Sequence, residues 1–294
     1  MLITFYGVRG SIPSPGPDTV KYGGNTPCVF VELENGQSVV LDAGTGIRKL
    51  GKKLSTSGGT INILLSHSHW DHIQGYPFFA PIYQAGRQIR VYTGSASDHA
   101  QLCSLFDQMD GANFPVHADE LPSNARCIID NVEQTLAEDG ILVRRQHINH
   151  PGGGCAYRIE GDGTSCAYLT DNELDPPGTV ATTYGQWVDF CQGADVLIHD
   201  AMYQEDDMPQ KHGWGHSLTS QVRRLAVDAE VGCLVMFHHD PNRTDAELDF
   251  IQADNNAFLK GLRAPTHCVC AAEGMQIRLT APTAGDGATA ITVS

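Results

Sequence analysis

Three histidines and one aspartate fall within six residues of one another in the segment SHSHWDH, residues 66–72. The segment directly follows the apolar run INILL, which predicts a strand with these side chains at its end. In an extended chain His67 and His69 project to the same side, whereas Asp71 and His72 lie at the start of the next turn. Imidazole and carboxylate groups bind borderline metal ions, and two ions about 3.5 Å apart can share one site. The spacing therefore predicts a metal centre of one or two ions.

Short β-rich runs alternate with turns in both halves of the chain. The predicted strands are residues 2–6, 28–34, 38–42, 61–65, 88–92, 141–147, 155–160, 165–170, 195–199, 233–237 and 275–279. We predict one helix from a cap at Ser217 to about Glu230. Another runs to about Leu262, because Thr244 and Glu247 have capping-box spacing. Strands followed by helices in each half predict an α/β sandwich, in which two mixed sheets pack face to face with helices outside.

The length of 294 residues suits one large domain, which we predict over residues 1–294. Residues 93–135 have weaker patterns and are interpreted as an insertion or lid, with a helix near 97–109. The tail 281–294 is small and polar, so we expect it to be loosely held, although its ITVS segment could add an edge strand.

The composition argues against a large nucleic-acid-binding surface. The chain has 34 acidic and 19 basic residues, a formal charge of −15 and no run of Lys or Arg. Because polyanion binding depends on clustered cations, structured nucleic acid is not an expected partner. No signal peptide or apolar run of about 20 residues is evident, so we expect a cytoplasmic protein that does not bind membranes. The nine cysteines contain no CxxC pair and are interpreted as reduced core residues.

The hexapeptide HSHWDH after a strand resembles the H-x-H-x-D-H signature of the metallo-β-lactamase superfamily. The resemblance implies the αββα fold of that superfamily and a centre of two divalent ions. Zinc is favoured, with manganese and iron(II) as alternatives. By the same resemblance the metal ligands are His67, His69, Asp71, His72, His150, Asp171 and His238.

Three of these ligands lie far from the hexapeptide in sequence. The resemblance implies that His150 completes the ligand set of the first ion, with His147 as its alternative. Asp171, at the end of the segment CAYLTD, would bridge the two ions, and His238 would join the second ion. His239 is the alternative to His238.

Two further positions refine this assignment. Pro241, which closes the turn after the strand CLVMF, favours His238 over its neighbour. Asp42, in VVLDAGTGI, corresponds to the aspartate after the second strand of the superfamily. Its carboxylate is expected to accept a hydrogen bond from the free ring nitrogen of a ligand histidine, and a capping role in the Gly-rich turn is compatible with this.

Several segments resemble one branch of the superfamily, which contains the tRNA 3′-processing ribonuclease and related phosphodiesterases. They are YGVRGSIPSP, YGGNTPCV, HDAMY, GHS and AEGMQIRL, and the likeness spans residues 3–280. The branch implies that His216 is the acid that protonates an alkoxide leaving group, with Asp200 as its partner. The ribonuclease has glutamate where this chain has Asp200, which puts that partnership in question. Asp71 would orient the attacking water, which two ions activate.

The function that we predict is hydrolysis of small phosphodiesters such as cyclic nucleotides. The acidic stretch 93–135 has no counterpart of the basic tRNA-grasping arm of the ribonuclease. Hydrolysis of lactones, thioesters or other acyl compounds at the same metals is the first alternative, and RNA processing is the second. An iron redox enzyme is less favoured, because the diiron oxidoreductases of this superfamily typically have glutamate where this chain has His69. A non-catalytic scaffold is less favoured, because all seven ligand positions hold competent side chains. Related enzymes are often dimers, so a homodimer is also expected.

Overall fold

A computed structural model describes residues 1–93, 104–282 and 288–294 of the chain. Fourteen strands lie in these residues. They are Leu2–Gly7 (β1), Cys28–Glu32 (β2), Ser38–Leu41 (β3), Ile61–Leu64 (β4), Gln88–Tyr92 (β5), Asn124–Ile128 (β6), Leu142–His147 (β7), Cys155–Gly161 (β8), Thr164–Leu169 (β9), Val196–Asp200 (β10), Cys233–Phe237 (β11), His267–Cys270 (β12), Gln276–Thr280 (β13) and Ala290–Val293 (β14).

The strands form two mixed sheets. The first has eight strands in the order β14-β13-β1-β2-β3-β4-β5-β6, and the second has six in the order β12-β11-β10-β9-β8-β7. Strands β3 to β6 run parallel to one another, as do β9 to β12, and the remaining neighbours are antiparallel. Parallel neighbours need crossover connections, which place helices on the sheet faces.

Helices cover the outer faces of both sheets, and one short helix packs Val132 and Leu136 against the core between the sheets. They are Ile47–Leu54 (α1), Trp70–Ile73 (α2), Val132–Glu138 (α3), Tyr184–Cys191 (α4), Thr219–Asp228 (α5) and Asp245–Gly261 (α6). Ile47 and Leu50 of α1 pack on the eight-stranded sheet, whereas Trp187 of α4 and Leu225 of α5 pack on the six-stranded sheet. The predicted α/β sandwich is therefore confirmed.

The inner faces of the two sheets form one continuous apolar core. Phe237 lies between the sheets, with its ring centroid 6.2 Å from that of Phe5 and 5.7 Å from that of Tyr168. All three side chains are buried. Burial on both faces explains why the central strands are apolar throughout rather than alternating.

The structure differs from the sequence predictions in several elements. Strand β12 and helices α1 to α4 have no counterpart among the predicted elements. The helix predicted from a cap at Ser217 begins at Thr219, because the Ser217 hydroxyl instead donates to the Asn172 carbonyl at 2.6 Å. Strand β6 lies inside the stretch interpreted as an insertion or lid and was missed, since its side chains are mostly half-exposed. It pairs in parallel with β5.

Other expectations about the elements can be compared directly. The capping box at Thr244 and the edge strand in the tail are present as predicted. Most of the predicted helix near 97–109 lies outside the described residues. In the part that the structure does describe, residues 104–107 are helical. Cys268 and Cys270 are buried in the apolar core. Among the residues that the structure describes, no helix is long and apolar enough to cross a bilayer.

Candidate metal centre

Most of the predicted site residues lie at the carboxyl ends of parallel strands, which meet at one edge of each sheet. His150 instead follows the antiparallel edge strand β7, and His216 lies in the loop before α5. Asp42 follows β3, the segment 66–72 follows β4, and Asp171 and His238 follow β9 and β11. Asp42, Asp171 and His238 have φ angles of 60°, 51° and 55°. This left-handed backbone is uncommon for residues other than glycine, although Asp and His are enriched in it. It turns each chain sharply as it leaves its strand.

The first group of side chains consists of His67, His69, His150 and Asp171, whose ligand atoms lie within 4.8 Å of one another. Nδ1 of His69 lies 2.9 Å from Nε2 of His150. Asp171 Oδ2 lies 3.6 Å from His67 Nε2 and 3.7 Å from His150 Nε2. His69 is exposed, so this group opens to solvent.

The second group consists of Asp71, His72, Asp171 and His238, all of them buried. Asp71 Oδ2 lies 3.3 Å from His72 Nε2 and 3.1 Å from His238 Nε2. On the other side, Asp171 Oδ1 lies 3.2 Å and 3.1 Å from the same two nitrogens. Asp171 thus faces the first group with one oxygen and the second group with the other.

These distances fit the donor set of bound metal ions. Ligand atoms about 2.0–2.1 Å from a tetrahedral zinc ion lie about 3.3 Å apart, close to the separations within both groups. Nε2 of His67 and Nε2 of His72 are buried and have no hydrogen-bond partner. A buried polar atom is usually satisfied, so two imidazole nitrogens without a hydrogen-bond partner beside a carboxylate fit a site that binds a cation.

The electrostatics favour the metal-binding protonation state at three of the candidate ligands, whereas Asp71, Asp171 and Asp42 outweigh burial and raise the pKa of His72 well above its usual value. Burial lowers the pKa of His67 well below its usual value and that of His150 to about 4, so both rings are neutral at pH 7. Burial would raise the pKa of Asp171, but His238, His72 and His67 outweigh it and hold that pKa well below its usual range. The neutral imidazoles and the ionised carboxylate can all donate electron pairs.

Asp42 lies behind the second group and contacts one of its histidines. Its Oδ2 lies 2.8 Å from His72 Nδ1 and accepts a hydrogen bond from the Tyr168 hydroxyl at 2.7 Å. Its Oδ1 accepts from the Ser66 backbone N–H at 2.7 Å. Because an ionised carboxylate only accepts, His72 Nδ1 donates to Asp42, which leaves Nε2 as the nitrogen that could bind a metal ion.

Asp200 and His216 form a buried pair against the second group. His216 Nδ1 lies 2.5 Å from Asp200 Oδ2, and the Met202 backbone N–H donates to Asp200 Oδ1 at 2.9 Å. The His216 ring stacks on that of His238, with centroids 5.1 Å apart. Burial alone would lower the pKa of His216, but the Asp200 carboxylate outweighs it and raises the pKa to about 9. The shorter aspartate side chain therefore reaches this histidine, so the two residues do form a pair.

The alternatives left open by the sequence differ clearly in position. His238 lies in the second group, whereas the adjacent His239 turns away and donates from Nε2 to the Ala271 carbonyl at 2.9 Å. His150 lies in the first group. His147 is exposed, and its Nδ1 contacts Cys155 Sγ at 3.7 Å.

Sequence reasoning missed a buried polar layer beneath these residues. Asn172 Oδ1 accepts from the Asn149 backbone N–H at 3.0 Å, and Ser217 bonds to the Asn172 carbonyl. Glu173 accepts two backbone hydrogen bonds from the loop before His216. Each of these residues lies one or two positions from a predicted site residue. That adjacency is the signal that could have identified them.

Comparison with known proteins places this site in a family. Residues 37–239 match the family described as Beta-lactamase superfamily domain. Ribonuclease Z of Thermoplasma acidophilum is 25% identical over 288 residues, which cover 84% of this chain and 88% of that protein.

Two solved structures share the fold. The metallo-beta-lactamase fold protein YhfI of Bacillus subtilis has a TM-score of 0.66 and 17% identity, covering 94% of this chain and 98% of YhfI. The short form of human tRNase Z has a TM-score of 0.61 and 19% identity, covering 96% of this chain and 100% of that one. The chain belongs to the metallo-β-lactamase superfamily of hydrolases, whose fold implies binding of divalent metal ions.

Proposed function

We propose that this protein is a dinuclear metal-dependent phosphodiesterase that cleaves small phosphodiesters such as cyclic nucleotides. The observation that supports this most is the buried pair of Asp200 and His216 against the grouped ligands. Hydrolysis of an alkyl phosphodiester expels an alkoxide, a poor leaving group, so a positioned acid accelerates it by about 10²- to 10⁴-fold. Hydrolysis of a thioester expels a thiolate, a much better leaving group, and depends less on such an acid.

The ligand groups support a site for two ions. His67, His69 and His150 would hold one ion and Asp71, His72 and His238 the other, with Asp171 shared through its two oxygens. Zinc is favoured because most of the donors are imidazoles, and manganese and iron(II) are alternatives. When bound, the ions would lower the pKa of a water and polarise a phosphoryl oxygen.

Each nearby residue has a distinct proposed task. His216 Nδ1 is hydrogen-bonded to the Asp200 carboxylate, so Nε2 is the nitrogen that would deliver a proton to the departing oxygen. Asp71 would orient the attacking water, because its carboxylate is fixed by the Ser11 backbone N–H, which donates to Oδ2 at 2.7 Å. Asp42 would orient His72.

RNA processing is the second candidate. The likeness to Thermoplasma acidophilum ribonuclease Z, which covers most of both chains, favours it. The formal charge of −15 favours a small substrate instead. The test therefore includes an assay for cleavage of a tRNA precursor.

The test uses purified protein of measured metal content with five substrates: bis(p-nitrophenyl) phosphate, a cyclic nucleotide, a dinucleotide, a tRNA precursor and a lactone. We expect the small diesters to be hydrolysed most efficiently. His67→Ala should lose metal and turnover together. His216→Ala should keep its metal and lose about 10²- to 10⁴-fold in kcat on the cyclic nucleotide, with a smaller loss on bis(p-nitrophenyl) phosphate, whose leaving group needs no proton.

The matched control is His117→Ala, which removes an exposed histidine outside the site. It should retain wild-type kinetics on every substrate. Preferential lactone hydrolysis, or a His216→Ala variant with wild-type kcat on the cyclic nucleotide, would overturn the assignment to phosphodiesters.

A further inference from the structure

We propose that Glu173 is a positioning residue, which holds the loop 213–216 so that both His150 and His216 face the metal centre. This inference rests on the proposed function. The Glu173 side chain is buried, and its two carboxylate oxygens accept from the backbone N–H groups of Gly213 at 2.8 Å and Gly215 at 2.9 Å. Its one ion-pair contact among the described residues is His212, at 3.7 Å. A buried carboxylate with so little cationic compensation is costly, which favours a specific role.

The loop requires this support because of its backbone conformation. Gly213 and Gly215 have φ angles of 86° and 88°, which L side chains rarely adopt. A Cβ atom on Gly215 would lie 2.1 Å from His150 Nδ1, so the loop packs directly on the ligand ring. The carboxylate satisfies two N–H groups that face the protein interior and keeps the loop in contact with His150.

The position of Gly215 determines how His150 presents its nitrogens. His150 Nδ1 donates to the Gly215 carbonyl at 3.0 Å, so the proton resides on Nδ1. Nε2 therefore offers its lone pair toward His69 and Asp171. Outer contacts of this kind orient ligand imidazoles and strengthen metal binding.

The same loop carries the proposed acid. His216 follows Gly215 directly, and its Nδ1 meets Asp200 at 2.5 Å. A displaced loop would therefore shift a metal ligand and the acid together.

Glu173 itself is fixed independently of the loop. Its backbone N–H donates to the Asn149 carbonyl at 3.0 Å, and the Asn149 side-chain amide donates to the Glu173 carbonyl at 3.1 Å. Asn149 directly precedes His150. Glu173 therefore links its own segment to the segment of His150 and to the loop 213–216.

Glu173→Gln is the sharpest test, because glutamine has the same shape but only one acceptor oxygen. Its amide group would face one of the two backbone N–H groups. We expect one of the two zinc ions to bind about 10- to 100-fold more weakly, measured by chelator competition without substrate. We also expect kcat to fall more on a cyclic nucleotide than on bis(p-nitrophenyl) phosphate. Glu138→Gln makes the same change on an exposed helix and should match wild type.

Glu173→Asp keeps both acceptor oxygens on a shorter arm and should lose less zinc affinity than Glu173→Gln. If Glu173→Gln does not fold, Glu173→Asp carries the test, and selective weakening of one zinc ion supports the proposal. Wild-type zinc affinity in the folded variant, with an unchanged ratio of the two rates, would overturn it. Zinc binding is measured without substrate. If the wild-type protein were inactive on diesters, the phosphodiesterase assignment would be refuted, but the zinc affinities of the Glu173 variants would still test whether Glu173 positions the ligands.

Discussion

Left-handed residues at strand ends form much of the candidate metal centre. Asp42, Asp171 and His238 each turn the chain immediately after a strand, and each is fully or almost fully buried. Such conformations cost free energy and persist where the surrounding structure enforces them, which is common in functional sites. At Asp42 the cost is moderated because Asp and Asn tolerate this region best after glycine.

Asp42→Asn should weaken metal binding while preserving the fold. Asparagine accepts the left-handed backbone equally well, so the substitution mainly removes the charge and one acceptor beside His72. We expect about 10- to 100-fold lower zinc affinity at the second ligand group, measured by competition with a chromogenic chelator.

The control for this variant is Asp162→Asn, because Asp162 also has a left-handed φ, of 56°, but lies in the turn between β8 and β9. Its zinc affinity should equal that of wild type. If Asp42→Asn also bound zinc normally, the Asp42 carboxylate would contribute to packing and turn geometry alone.

The sequence located the candidate ligand residues better than the residues that contact them. His67, His69 and Asp71 share one short segment whose spacing is informative without any tertiary structure. Glu173 acts on a loop 40 residues further along the chain, and only the folded chain brings the two together. Its position two residues after Asp171 indicates that Glu173 lies near the site, but no local pattern shows that its side chain is a buried acceptor rather than a solvated one.

At the scale of elements, the helices and strands that the sequence predicted correctly are those with a strong local pattern, such as an apolar run or a capping box. The central strands have long apolar runs, and the N-terminus of α6 has a complete capping box, so both were predicted correctly. Strand β6 was missed because a half-exposed edge strand need not be apolar. The Ser217 cap was wrong because a tertiary hydrogen bond to Asn172 competes with local capping.

Thr244→Ala should destabilise the protein through helix α6. The Thr244 side chain accepts from the Glu247 backbone N–H, and the Glu247 carboxylate accepts from the Thr244 backbone N–H at 2.7 Å. Loss of such a cap costs about 1 kcal/mol, within a usual range of about 0.5–2 kcal/mol. The free energy of unfolding in urea measures this cost. Thr244→Ser keeps the acceptor oxygen and should stay close to wild type, and equal losses in both variants would contradict a capping role.

At the scale of the whole molecule, charge separates the two candidate functions. The formal charge of −15 opposes a polyanion everywhere except near bound cations. The metal centre would offset this charge locally, which suits a small anionic diester better than an extended RNA. A homodimer and a cytoplasmic location stay predictions, and neither alters this argument.

The dependence of activity on salt should therefore be shallow. A protein that contacts six to ten phosphates loses about 10³- to 10⁵-fold in affinity between 50 and 200 mM salt, because each contact releases counterions. For a cyclic nucleotide we expect kcat/KM to change by less than about threefold over this range, since the substrate carries one phosphate. The same assay with a tRNA precursor is the comparison, and we expect much slower cleavage at every salt concentration. Efficient cleavage of the precursor at low salt, falling steeply as salt rises, would instead establish an RNA-binding surface and favour the RNA-processing function.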